Sequence, residues 1–229
     1  MNTDFKCRGS RGEIWLYDPV GSSFFGDAIS AKMFQRELTA LGKVDSISLH
    51  INSPGGDVFD GLAIYNMLKT HPAQVVVDID GLAASIASII SMSGDTIRMA
   101  ENAMMMIHDP QGFAMGNATE MQRTAALLDT VKGNLVDTYH SRTGQAKESI
   151  GAWMTDETWM TSDACMANGF CDSVAANTKV NAYFDLSNFH NVPAKLRHVS
   201  QNTVPTPTLD KMRVGIVSQG QRVAALCLP

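Results

Sequence analysis

The stretch ISLHINSPGGDVFDGLAIYNML, residues 47–68, decides how the rest of the chain is read. Ile47 to Ile51 alternates apolar and polar side chains, the pattern of a half-buried strand. Asn52-Ser53-Pro54-Gly55-Gly56 is a turn signal. From Val58 to Lys69 the residues Leu62, Ile64, Tyr65 and Leu68 fall at helical spacing. A strand, a glycine turn and a helix in that order make one unit of an α/β layered fold with mostly parallel pairing.

Working outward, Ile14-Trp15-Leu16-Tyr17 reads as an opening strand. A helix over Asp27 to Leu41 follows, with Asp27 near its cap and Ile29, Met33, Phe34, Leu38 and Leu41 on one face. Val75 to Ile79 is a buried strand, and Gly81-Leu82-Ala83-Ala84-Ser85 turns into a helix through about Ser91. Thr96 to Met99 and Met104 to Ile107 are short strands. Gln111 to Gly116 is glycine-rich. Asn117-Ala118-Thr119-Glu120 opens the longest helix, which runs to about Ser141 and is stopped by Thr143-Gly144. Shorter helices are expected over Ala146 to Met154 and about Asp163 to Asn168. No repeat recurs at a fixed period. Composition shifts near residue 187 toward Asn, Gln, Val, Thr and Pro. The division expected is therefore a domain over 1–186 and a poorly ordered tail or linker over 187–229.

The bulk numbers narrow the class. A chain of 229 residues with 45% hydrophobic and 18% charged residues is of ordinary globular composition. The net charge of -5, with no long basic run, argues against a nucleic-acid surface. Cys7, Cys165, Cys171 and Cys227 form no CxxC pair and read as reduced thiols, with no zinc site and no disulfide frame. The N-terminus has no apolar signal core, and Leu82 to Met92 is too short to span a bilayer. A cytoplasmic protein is expected. Neither a metal nor a cofactor is called for, and no Walker-type phosphate loop is present.

Three loops at strand ends carry the candidate chemistry. Ser53-Pro54-Gly55-Gly56-Asp57 either turns backbone N–H groups toward an oxyanion or is a tight strand-to-helix turn. Ser85 is either an N-cap or a nucleophile set among small neighbours at a helix N-terminus. His108, at the end of an apolar strand before Pro110, is either structural or a base that works near neutral pH. Asp109 beside it points to the opposite face. A serine needs a base, and the base needs an acid to fix its tautomer. Candidates for that acid lie in Met154-Thr155-Asp156-Glu157-Thr158-Trp159-Met160-Thr161.

Together these segments resemble the proteolytic subunit of Clp protease. The matching stretches are INSPGGDVFDGLAIYNML (51–68), GLAASIAS (81–88), MMIHDPQG (105–112), GNATEMQR (116–123) and ETWMTSDACMANGFCDS (157–173). Within that family, EIWLYDPVGSSFFGDAIS and ETWMTSDA look most like the phage head-maturation (prohead) protease branch, which would place the chain in the cytoplasm of a bacterial host. The resemblance implies an α/β spiral of β-β-α units, of the Clp-protease/crotonase kind, with a protruding handle. That handle would be a glycine-rich strand after Pro110 and the helix from about Asn117. Its apolar positions Met121, Leu127, Leu128, Val131, Leu135 and Val136 are enough to bury one face.

The resemblance further implies Ser85 as nucleophile and His108 as general base. Backbone N–H groups around Gly56, Asp57 and Ile86 would form the oxyanion hole. The family's catalytic Asp aligns with Glu157, with Asp156 as the neighbouring alternative. Phe113 and Met115 are candidates for lining the substrate pocket. Protein or peptide substrates and a homo-oligomeric ring follow. An unfoldase ATPase partner is not implied, because no equivalent of the axial N-terminal segment is evident. The expected function is a serine endopeptidase, with phage scaffold or capsid maturation as the narrower expectation. The alternatives are a catalytically inert ring or scaffold protein and a crotonase-type acyl-CoA enzyme, which shares the architecture.

Overall fold

In a computed structural model of the chain, residues 4–8, 10–21, 28–176 and 186–197 are described. Two compact units divide at Pro193 and Ala194, and the described part of the second is one short helix, Ala194–Arg197.

The first unit is a mixed α/β structure around an eight-stranded sheet. Strands β1 (Asp4–Arg8), β2 (Arg11–Leu16), β3 (Ser46–Ser53), β4 (Gln74–Ala84), β5 (Thr96–Ala100) and β8 (Ser173–Ala175) lie side by side in that order. The first pair is antiparallel and every later neighbour in this row is parallel. Strand β4 is the organising element. Its first half pairs with β5 over Val76 to Ile79, and its last residues, Leu82 to Ala84, pair with β6 (Met104–Ile107). Strand β6 in turn holds β7 (Thr158–Thr161) antiparallel. The register between β3 and β4 shifts beyond Ile51, where the chain turns toward the glycines.

Helices α1 (Ala31–Ala40), α2 (Val58–Lys69), α3 (Ile86–Ser91), α4 (Ala118–Thr143), α5 (Lys147–Thr155) and α6 (Ser162–Ala167) pack on this framework. One core joins sheet and helices. Ile47, Leu49 and Ile51 of β3, Val75, Val77 and Ile79 of β4, Ile64 of α2 and Ile89 and Ile90 of α3 are fully or almost fully buried within it. A Leu or Ile truncated to alanine at such positions costs about 2–5 kcal/mol.

Local chemistry sets the helix starts. Ser30 caps α1 by accepting from Met33 N–H, and Asp57 caps α2 by accepting from Phe59 and Asp60 N–H. Asn117 and Glu120 form a reciprocal capping box on α4. The expected helix over Asp27 to Leu41 thus begins at Ala31, after its serine cap; Asp27 lies outside the described residues.

Two expectations change. Val75 to Ile79 is only the first half of a strand that runs on to Ala84, because pairing with β3 and β6 overrides the small-residue composition there. No strand forms in the glycine-rich stretch after Pro110, where Phe113 and Met115 are 88% and 84% exposed and no ladder partner is found among the described residues. Of the apolar face expected on α4, the second half is buried within this unit. Val131, Leu135, Val136 and Tyr139 enter the core, whereas Met121 and Leu127 remain exposed. Among the described residues no helix is long and apolar enough to cross a membrane.

Candidate active site

The end of β4 delivers Ser85 in an unusual conformation, with φ 55° and ψ −128°. A non-glycine residue seldom adopts positive φ, and the cost is of order 1–3 kcal/mol. The surroundings hold it there. Ser85 N–H donates to Met106 O on β6 at 2.9 Å. The Ser85 carbonyl accepts the Ser88 hydroxyl at 2.5 Å, and Ser88 Oγ lies 2.7 Å from the buried Tyr139 hydroxyl on α4. Ser85 makes no side-chain capping bond to α3. Its Oγ lies 2.8 Å from His108 Nε2 instead.

His108 leaves the end of β6 and is half-buried. Burial holds its pKa below the usual imidazole value, while the charges of Glu157 and Asp109 pull the other way. Asp109 turns away, as alternation requires. Its carboxylate meets Lys132 Nζ at 2.8 Å and the Thr155 hydroxyl at 3.1 Å, tying the β6 end to α4 and α5.

Glu157 and Asp156 separate cleanly. Asp156 is exposed at the C-terminus of α5, whereas Glu157 is 6% exposed and sits at φ 48°. The Glu157 carboxylate accepts from His190 N–H at 2.9 Å, Asn191 N–H at 2.6 Å and the Trp159 indole at 3.2 Å. Burial pushes its pKa up; the two backbone donors, the indole and His108 together outweigh that and bring it below the ordinary carboxylate value. Glu157 acts on His108 through its charge, and among the described residues no hydrogen bond joins them. Trp159, His190 and Asn191 were not read from the sequence. A lone Phe-His-Asn group in a polar segment was the only signal.

The glycine turn closes the site. Gly55 and Gly56 have φ 89° and 146°, conformations that suit glycine. A side chain on Gly55 would collide with Ala84 O and Ser85 Cβ, and one on Gly56 with the Val20 carbonyl. The Asp57 N–H donates to Val20 O at 2.8 Å, so it is occupied. The N–H groups of Gly56 and Ile86 have no acceptor among the described residues. The resulting cleft of about 360 Å³ is lined by Pro19, Pro54, Gly56, Val58, Ser85, His108, Pro110 and Phe189, among others. Phe113 and Met115 do not line it. Among the described residues no group of acidic, His or Cys side chains could hold a metal ion.

A hydroxyl aligned on an imidazole, beside a buried carboxylate and free amide donors, is equipped for acyl transfer. Comparison with known proteins agrees. A profile of the Clp protease family matches residues 10–178. The ATP-dependent Clp protease proteolytic subunit 1 of Chlamydia abortus is 33% identical over 165 residues, covering 70% of this chain and 84% of the relative. The ATP-dependent Clp protease proteolytic subunit of Streptococcus pneumoniae is 32% identical over 172 residues, covering 73% of this chain and 86% of the relative. That of Bacteroides fragilis is 31% identical over 153 residues, covering 65% and 74%. The match spans every loop that meets at the cleft except the segment bearing Phe189, His190 and Asn191, and it sets aside the acyl-CoA reading. This chain belongs to the Clp protease family and is a serine peptidase of that family.

Proposed function

We propose that the chain is an endopeptidase in which Ser85 is the nucleophile, His108 the general base and Glu157 the acid. The observation that carries this reading is the 2.8 Å approach of Ser85 Oγ to His108 Nε2 from a strained backbone. His108 takes the Ser85 proton as Oγ attacks the scissile carbonyl. The carbonyl oxygen becomes an oxyanion held by the Gly56 and Ile86 N–H groups. Glu157 stabilises the imidazolium that forms. His108 then returns the proton to the leaving amine, and a water hydrolyses the acyl-enzyme by the same steps in reverse. Of the oxyanion candidates, the occupied Asp57 N–H drops out.

The same reading carries a spiral of β-β-α units with α4 as the handle, a ring of identical subunits and cytoplasmic protein substrates. The exposed first half of α4 supports the handle assignment. The narrower role, cleaving phage scaffold or capsid proteins, rests on EIWLYDPVGSSFFGDAIS and ETWMTSDA alone. The curated relatives are named ATP-dependent; with no phosphate loop in this sequence, such dependence here would come from a partner protein.

A fluorophosphonate probe tests the mechanism. Labelling at Ser85, abolished by Ser85→Ala, supports it. A folded ring that takes no label would instead favour the inert scaffold, the reading that the missing His108–Glu157 hydrogen bond supports.

A further inference from the structure

The family match ends at residue 178, yet a segment beyond it is built into the site. Leu186 and Val192 are buried, and between them the chain turns with Phe189 N–H on Leu186 O. The Phe189 ring stands nearly perpendicular to that of His108, with ring centres 5.7 Å apart, and nearly perpendicular to that of Trp159 at 5.9 Å. Asn188 and Phe189 line the cleft beside Ser85. The next two residues grip the acid through their backbone N–H groups, and Asn191 Nδ2 donates to Asp156 O at 2.7 Å. One short segment therefore touches base, acid and cleft.

We propose that Phe189 is the positioning residue for His108 and the specificity-determining wall of the cleft, on a segment clamped in place by Glu157. This rests on the peptidase reading above. Two observations lead to it. His108 Nδ1 has no hydrogen-bond partner among the described residues, so beyond the Ser85 bond at Nε2 it is packing that holds the imidazole, and the Phe189 ring supplies part of that packing. Away from the glycine turn the cleft wall is made of Pro19, Val58, Pro110 and Phe189 with the uncharged polar Gln111 and Asn188, and among the described residues no acidic or basic side chain other than the His108 imidazole lines it. Such a cleft accepts an uncharged apolar side chain next to the scissile bond, and Phe189 limits how large that side chain can be.

The test uses the full chain and its Phe189→Ala, Phe189→Leu and Ser85→Ala variants. The substrates are peptides bearing Ala, Leu, Phe or Trp next to the scissile bond. kcat and KM are measured separately, with the rate of fluorophosphonate labelling. Phe189→Ala is expected to improve KM for the larger side chains relative to Ala by about tenfold, the scale of one or two methylenes of fit. It should also slow labelling several-fold. Phe189→Leu restores bulk beside the imidazole, so it should recover most of the labelling rate and keep an altered ranking. An unchanged ranking overturns the proposal, as does equal loss on every peptide with a lower Tm, which marks packing alone. A variant faster on all peptides alike also overturns it, because the segment would then be a lid. If the parent takes no label and Ser85→Ala matches it, the peptidase reading itself has failed; if the parent passes and the ranking holds, only the role of Phe189 has.

Discussion

Among the described residues, two histidines with acidic neighbours, His50 and His108, behave oppositely. His50 on β3 bonds directly to Asp80 on β4, with Nδ1 to Oδ2 at 2.9 Å. Asp80 also accepts the Tyr17 hydroxyl at 2.7 Å, and Trp15 stacks flat on the His50 ring. Burial lowers the His50 pKa, but the bond and charge of Asp80, with Asp78 and Glu13, outweigh it and raise it. His108 has the reverse balance. Its acid makes no hydrogen bond to it, and burial outweighs the neighbouring carboxylates and lowers its pKa. Close pairing favours the protonated ring and ties β3 to β4, whereas burial without a bonded acid favours the neutral ring. The backbone separates them further. His50 sits in regular ladder register with Asp78, whereas His108 faces a serine at positive φ.

The largest effect that could break this contrast is Ser85→Ala. It should reduce peptide hydrolysis by roughly 10⁴-fold or more, because triad members act as a unit. His50→Ala should leave kcat/KM within about twofold, as expected for a residue away from the chemistry. Loss of activity at His50 comparable to that at Ser85 would erase the distinction.

Next comes Glu157→Gln, which removes the charge and keeps one of the two acceptor oxygens, so that either the His190 or the Asn191 N–H loses its acceptor. A loss of about 10²-fold in kcat/KM is expected, below the ~10⁴ seen where an acid bonds its histidine directly. In the parent, the acid limb of the pH profile should fall below the ordinary imidazole value. Without the Glu157 charge that limb should move lower still, since the charge raises the His108 pKa. A shift to higher pH would contradict the electrostatic role.

Smaller effects sharpen the structural pair. Asp80→Ala leaves Tyr17 and His50 without their shared acceptor, and should destabilise by about 1–3 kcal/mol in denaturant titration while activity persists. The raised His50 pKa has its own signature. Its contribution to stability should be complete below the unfolded imidazole value and fade as pH rises through the folded one. His50→Gln should flatten that part of the stability–pH curve, and an unchanged slope would remove His50 as its source.

How much of this was legible in the sequence depended on range. Val58–Lys69 and Met104–Ile107 stand where their periodicity and composition place them, because local pattern and tertiary packing agree. The end of β4 was hidden. Gly81-Leu82-Ala83-Ala84 has no strand composition and is extended only through its neighbours. Strands β7 and β8 are too short to carry a period. On local pattern alone Ser85 reads more readily as a cap; the family resemblance is what points to a nucleophile, and its Oγ lies on His108. The grip on Glu157 comes from backbone amides more than thirty residues later in the chain, which no side-chain pattern advertises.

The Ser88 hydroxyl has one hydrogen, and it goes to the Ser85 carbonyl, so the Tyr139 phenol must donate to Ser88. The reactive turn is thus propped from behind by a one-way relay rooted in a distant helix. Residues 81–88 could not be transplanted into another scaffold as a free-standing loop and keep their shape. A graft would need the tyrosine, and enough of the helix bearing it to aim the phenol.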